Sequence, residues 1–160
     1  MRTSKTLAGA AVAVLLATIG VAAAEGPTRE EYVAQIDPIC ERNTLETKRI
    51  LKGVRDKVRQ GKLGAAGGQF IRASEEFGET VREIAAVPRP PADDARLRKW
   101  FGFLRIVQKH LRNLGKALQE RDRIKATHES IRVERSSNAA NNVGFVFEFR
   151  YCRITPSRFR

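Results

Sequence analysis

Histidine, cysteine and methionine are nearly absent from this chain: it has two, two and one of them in 160 residues, and the methionine is Met1. Each scarcity removes a class of chemistry. With His110 and His128 as the only imidazoles, multi-histidine metal sites cannot be built. His128-Glu129 opens like a zinc-protease helix, but Arg132 stands where the second ligand belongs. A haem bundle lacks both an axial methionine and a C-x-x-C-H attachment site. Gly61-Lys62 lacks the Ser/Thr and the earlier glycine of a phosphate loop, and no G-x-S-x-G elbow is present. No catalytic residue, metal ligand or cofactor is therefore assigned, and the expected class is non-enzymatic.

Long apolar runs are scarce too. The one present, Leu7 to Val21, follows Arg2 and Lys5 and precedes Ala22-Ala23-Ala24, the pattern of a secretory signal peptide with an A-x-A cleavage site. It is shorter than the roughly 20 residues of a spanning helix. The reading is a leader over residues 1–24 and one domain over 25–160, in a secreted or envelope-associated protein. An oxidising address turns the only two cysteines, Cys40 and Cys152, into an expected disulfide. In the loop-entropy description such a long closure contributes roughly 4 to 5 kcal/mol.

What the chain has in excess is positive charge. The formal net charge is +12, or +10 without Arg2 and Lys5. From Glu25 to Pro91 there are 12 Lys+Arg against 11 Asp+Glu, whereas from Ala92 to Arg160 there are 16 against 7. Such asymmetry suits a polyanionic neighbour, namely an anionic envelope polymer, lipid headgroups or nucleic acid, although solubility alone also accounts for it.

Four helical segments are expected. Thr28-Arg29-Glu30-Glu31 has the form of a capping box, followed by an inward face at Tyr32, Ile36, Ile39, Asn43, Thr47, Ile50, Val54 and Val58, with either a kink at Pro38 or a fresh start there capped by Asp37, and ended by Gly61. A second helix runs through Leu63, Ala66, Phe70, Ala73, Phe77, Val81 and Ile84, weakened at its start by Gly64, Gly67 and Gly68. The proline-rich stretch Val87 to Pro91 breaks it, and Asp93 or Asp94 can cap the next. The third carries the clearest stripe, Leu97, Trp100, Phe101, Leu104, Val107, Leu111, Leu114 and Leu118, and is expected at the centre of the packing. The fourth, about Arg121 to Asn142, has a thinner stripe at Ile124, His128, Ile131, Arg135 and Asn138, with Gly144 as a left-handed cap. Phe145, Phe147, Phe149 and Tyr151 then alternate, which predicts an extended tail over 145–160 lying aromatic side down. The fold class is all-α: an antiparallel four-helix bundle whose tail is tied back by the disulfide.

Two surface features could bind. Between Ala95 and Gln119 there are seven basic residues and no acidic one. Arg98, Arg105, Lys109, Arg112 and Lys116 fall within roughly a 60-degree arc about 27 Å long, a ladder for a linear polyanion. Alternatively this row faces Glu75, Glu76, Glu79 and Glu83 of the second helix and is consumed in intramolecular pairs. Those carboxylates read as a solvated face, since Arg72 and Arg82 lie among them. At the C-terminus Arg150, Arg153, Arg158 and Arg160 interleave with Phe149, Tyr151 and Phe159, a patch that could stack bases or sit at a lipid interface, or could simply be a frayed end. A different functional class, a periplasmic holdase with a basic face and exposed aromatics, fits the same composition.

With Glu31-Tyr32-Val33-Ala34-Gln35-Ile36-Asp37-Pro38-Ile39-Cys40 as its opening and Gly144-Phe145 before Cys152, the chain resembles small secreted helical proteins of high-GC actinobacterial genomes. Those share an E-Y-V-x-x-x-D-x-I-C opening and an aromatic G-F-x-x-C close; here the closing gap is longer. The resemblance implies secretion, a one-domain helical bundle and a Cys40–Cys152 bridge. It supplies no catalytic residue.

Overall fold

The first helix starts where its capping box sets it. The Thr28 hydroxyl accepts from the Glu31 N–H at 3.2 Å, and the Glu31 carboxylate accepts from the Thr28 N–H at 2.8 Å. The computed structural model describes residues 26–155, so the leader expected over 1–24 lies outside the described residues, as do Arg158, Phe159 and Arg160. The chain forms α1 (Arg29–Ile50), α2 (Val54–Arg59), α3 (Leu63–Ala86), α4 (Asp94–Gln119) and α5 (Arg123–Gly144), with 3-10 turns at Pro91–Asp93 and Phe145–Phe147.

The four long helices form the expected all-α antiparallel bundle, with α2 as a short extra turn of helix between α1 and α3. Helix α4 is central: it packs along both α3 and α5, and α1 lies against α3. Every member of its apolar stripe from Leu97 to Leu118 is buried. The Cys40–Cys152 disulfide is formed, with Cα atoms 5.0 Å apart, and ties the tail to α1.

Several local expectations are corrected. Helix α1 does not restart at Pro38, because Tyr32, Ile36, Ile39 and Cys40 are buried on both sides of it and hold the helix together. Asp37 is no cap; its carboxylate accepts from the tail N–H groups of Arg150 (3.1 Å) and Tyr151 (3.2 Å). The break comes instead at Gly53, with φ of 71°, where Gln69 of α3 donates to the carbonyls of Ile50 (2.6 Å) and Lys52 (3.0 Å). These carbonyls would otherwise lack helical partners. Gly61, with φ of 72°, ends α2 as expected.

The glycines at the start of α3 are packing devices. A Cβ on Gly67 would stand 2.4 Å from the Gly115 carbonyl oxygen, and one on Gly115 would stand 2.7 Å from that of Gly67, so α3 and α4 touch backbone to backbone. Asp93 sits at the start of α4 without capping it, since its carboxylate is held by Arg29 in a two-pronged pair at 2.8 and 2.7 Å.

Helix α5 turns a different face inward from the one expected. Ala126, Glu129, Val133, Ser136, Ser137 and Ala140 are buried, whereas Ile124 is 75% and Ile131 41% exposed. Small residues let α5 approach α4 closely, and the larger isoleucines are left at the rim. Gly144 is not left-handed. It makes room for Trp100, whose Nε1 would lie 3.1 Å from an added Cβ. The left-handed residue is Glu148, with φ of 52°.

The tail follows as a 3-10 turn and then irregular chain. Phe145 is 73% exposed, a correction to the all-inward aromatic row, while Phe147 and Phe149 are buried and stack at 5.1 Å. Phe149 also lies 5.0 Å from Trp100. Asn141 completes the attachment: its amide donates to the Ile154 carbonyl (2.7 Å) and accepts from the Ile154 N–H (2.9 Å).

Candidate functional site

The basic row of α4 lies on the outer side of the central helix, between the lines along which α3 and α5 pack. Arg105, Lys109 and Lys116 are exposed and form no ion pair among the described residues. Arg98 pairs with Asp94 one turn earlier at 2.5 Å, and Arg112 reaches Glu75 of α3 at 3.3 Å. Of the five cations in the row, only Arg112 meets the acidic face of α3.

Two further carboxylates of that face have other partners. Glu83 pairs with Arg42 of α1, and Glu79 with Arg82 on its own helix at 3.8 Å. Surface pairs of this kind contribute about 0 to 1 kcal/mol, so Arg98 and Arg112 can be released toward a stronger anion. From Arg105 to Lys116 the unpaired cations span about 16 Å of helix.

On the other flank of α4 there is a charged cluster that periodicity alone did not single out. Glu129 of α5 is buried, its side chain 6% exposed, with Oε2 2.7 Å from His110 Nδ1 and Oε1 2.8 Å from Arg132. Burial pushes the carboxyl upward, but the hydrogen bond and charge of His110, together with Arg132, outweigh it and hold Glu129 below its ordinary value. Arg132, which broke the zinc-protease pattern, is thus a partner of that pattern's glutamate. His128, by contrast, points outward. Among the described residues no group of three or more His, Cys, Asp or Glu side chains is placed to hold a metal ion, and no helix is long and apolar enough to cross a membrane.

The part of the C-terminal patch that is described divides in two. Phe149 is in the core, while Arg150 lies over the ring of Tyr151 at 5.1 Å and Arg153 is exposed. The Tyr151 hydroxyl is raised in pKa by its hydrogen bond to Glu41 and by burial. Asn43 and Thr47 occupy inward positions of α1, and the amide nitrogen of Asn43 is buried without a hydrogen-bond partner. Two polar side chains within an otherwise apolar register were the available sequence signal for that region.

Comparison of the chain with protein-family models, with curated proteins and with solved structures gives no match.

Proposed function

We propose that this protein is a non-enzymatic binding module of the cell exterior, which grips a linear polyanion, an anionic envelope polymer or the headgroups of an anionic membrane, through the outer face of α4. The observation that carries this reading is the set Arg105, Lys109 and Lys116: exposed, in line, and without a carboxylate partner among the described residues. Arg98 extends the ladder toward the start of α4, and Arg112 fills it between Lys109 and Lys116. A tie between Cys40 and Cys152 supports the extracytoplasmic address, because such bonds persist in oxidising compartments.

The test is retention on a phosphate-bearing polyanion column as salt is raised. Arg105→Glu/Lys109→Glu/Lys116→Glu is expected to abolish retention at physiological salt and to reduce the slope of log affinity against log salt by about 2 to 3. A control with the same charge change elsewhere, at the exposed positions Lys52→Glu/Lys62→Glu/Arg123→Glu, is expected to keep most of it. Equal behaviour of the two variants would show that net charge, not this face, is responsible.

A further inference from the structure

The inner side of the same helix borders a cavity of about 190 Å³. Its floor is apolar, formed by Phe77, Val81, Trp100, Leu104, Val107 and Leu111 of α3 and α4. Protein interiors are packed to the density of organic crystals, so space of this size leaves its lining atoms without partners. An apolar cavity of about 150 Å³ is enough to take up benzene. This one admits a moiety somewhat bulkier than one aromatic ring.

The walls change character toward the opening. Asn43, Thr44 and Thr47 of α1 and Thr80 of α3 form a polar belt. Thr80 already donates to the Glu76 carbonyl at 3.1 Å, whereas the Asn43 amide nitrogen is buried with no acceptor. Such a donor is costly to leave unmade and marks where an acceptor of a ligand would rest.

At the rim stand Lys48 and Arg153, both exposed and without an ion pair among the described residues. The adjoining surface hollow adds Arg150 and Glu41, and the Glu41 carboxylate is engaged by the Tyr151 hydroxyl. Three cations against one occupied carboxylate make the mouth positive. The wall facing α1 is the tail itself, from Tyr151 to Thr155, held in place by the disulfide.

We propose that this cavity binds a small anionic amphiphile, its short hydrocarbon chain on the Phe77–Leu104–Leu111 floor and its carboxylate at Lys48 and Arg153, with Asn43 donating to the head. Apolar floor, hydrogen-bonding belt and cationic rim occur in the order such a molecule presents them. This site is separate from the polyanion face, which lies on the opposite side of α4, so either can fail alone.

Trp100 lines the floor and is the only tryptophan in the chain, so its fluorescence reports occupancy. Titration of the full chain with octanoate is expected to give a saturable change and a rise in melting temperature. Octylammonium, with the same chain and opposite charge, is expected to bind at least tenfold more weakly. In Lys48→Glu/Arg153→Glu, a surface change that leaves the core intact, octanoate affinity falls at least tenfold while that of uncharged octanol is kept. Equal responses to octanoate and octylammonium, an unchanged affinity in the double variant, or no saturable response to octanoate would each overturn the proposal.

Discussion

At one end of the bundle Tyr32, Trp100, Phe101, Phe147 and Phe149 fill the core and a disulfide closes it; at the other, Leu63, Ala66, Leu114, Ala117, Leu118 and Ala126 pack with no ring larger than Phe70. The aromatic end is assembled from segments far apart in the chain: the start of α1, the α3–α4 connection and the tail. Large rings supply the area, but their loop-closure cost is high, and Arg29, Asp37 and the disulfide hold the pieces together. The aliphatic end is made by helices adjacent in sequence. There the Gly67–Gly115 contact and a run of alanines let backbones meet, and no covalent tie is needed.

The largest test of this contrast is Cys40→Ala/Cys152→Ala. A loss of about 4 kcal/mol in denaturant unfolding is expected. Hydrogen exchange should accelerate first over Phe147 to Ile154 and the first half of α1, while amides near Gly67 and Gly115 keep their protection. Uniform acceleration would erase the distinction between the two ends.

Gly115→Ala strikes the other end. Its Cβ would meet the Gly67 carbonyl and the Ile71 backbone, neither of which can swing away, so about 2 kcal/mol of destabilisation is expected by the same measurement. Glu129 belongs to the same end, on the inward face of α5 between Ala126 and Val133. Its depressed pKa means that its contribution is complete above the ordinary glutamate value and fades as pH falls through the lower folded value. Glu129→Gln is expected to cost about 1 to 2 kcal/mol at neutral pH and to flatten the acid limb of the stability curve below about pH 4. The smallest effect has the opposite sign. Gly102 of α4 has nothing within 4 Å of an added Cβ, so Gly102→Ala should stabilise by about 0.5 to 1 kcal/mol, read as a rise in melting temperature.

The start of α1, the facing of α4 and the tie between Cys40 and Cys152 were the most legible in the sequence. A capping box, a three-four stripe of large apolar residues and a single cysteine pair are strong signals because each has one structural solution. Helix α5 was legible in extent but not in facing: its buried positions are alanine, serine, valine and glutamate, so the largest hydrophobic residues mark the wrong side. Pro38 read as a kink or a restart because local propensity takes no account of the packing of Ile36 and Ile39 around it. Asp37 was assigned wrongly, as a cap, and Asn141 was not singled out at all, since their partners are backbone groups of the tail, 113 and 13 residues away. In the basic row, order and exposure followed from helical spacing. Which members were paired depended on how α3 lies beside α4, and spacing within one helix does not contain that.

The paired bonds between Asn141 and Ile154 have one further consequence. A side-chain amide there satisfies both backbone groups of a single residue, as a neighbouring strand would. The Ile154 N–H is thereby withdrawn from solvent as a ladder amide is, with the bridge at Cys152 close behind it. In Asn141→Ala its proton-NMR temperature coefficient should rise to that of a solvent-bonded amide, while those along α4 stay as they were.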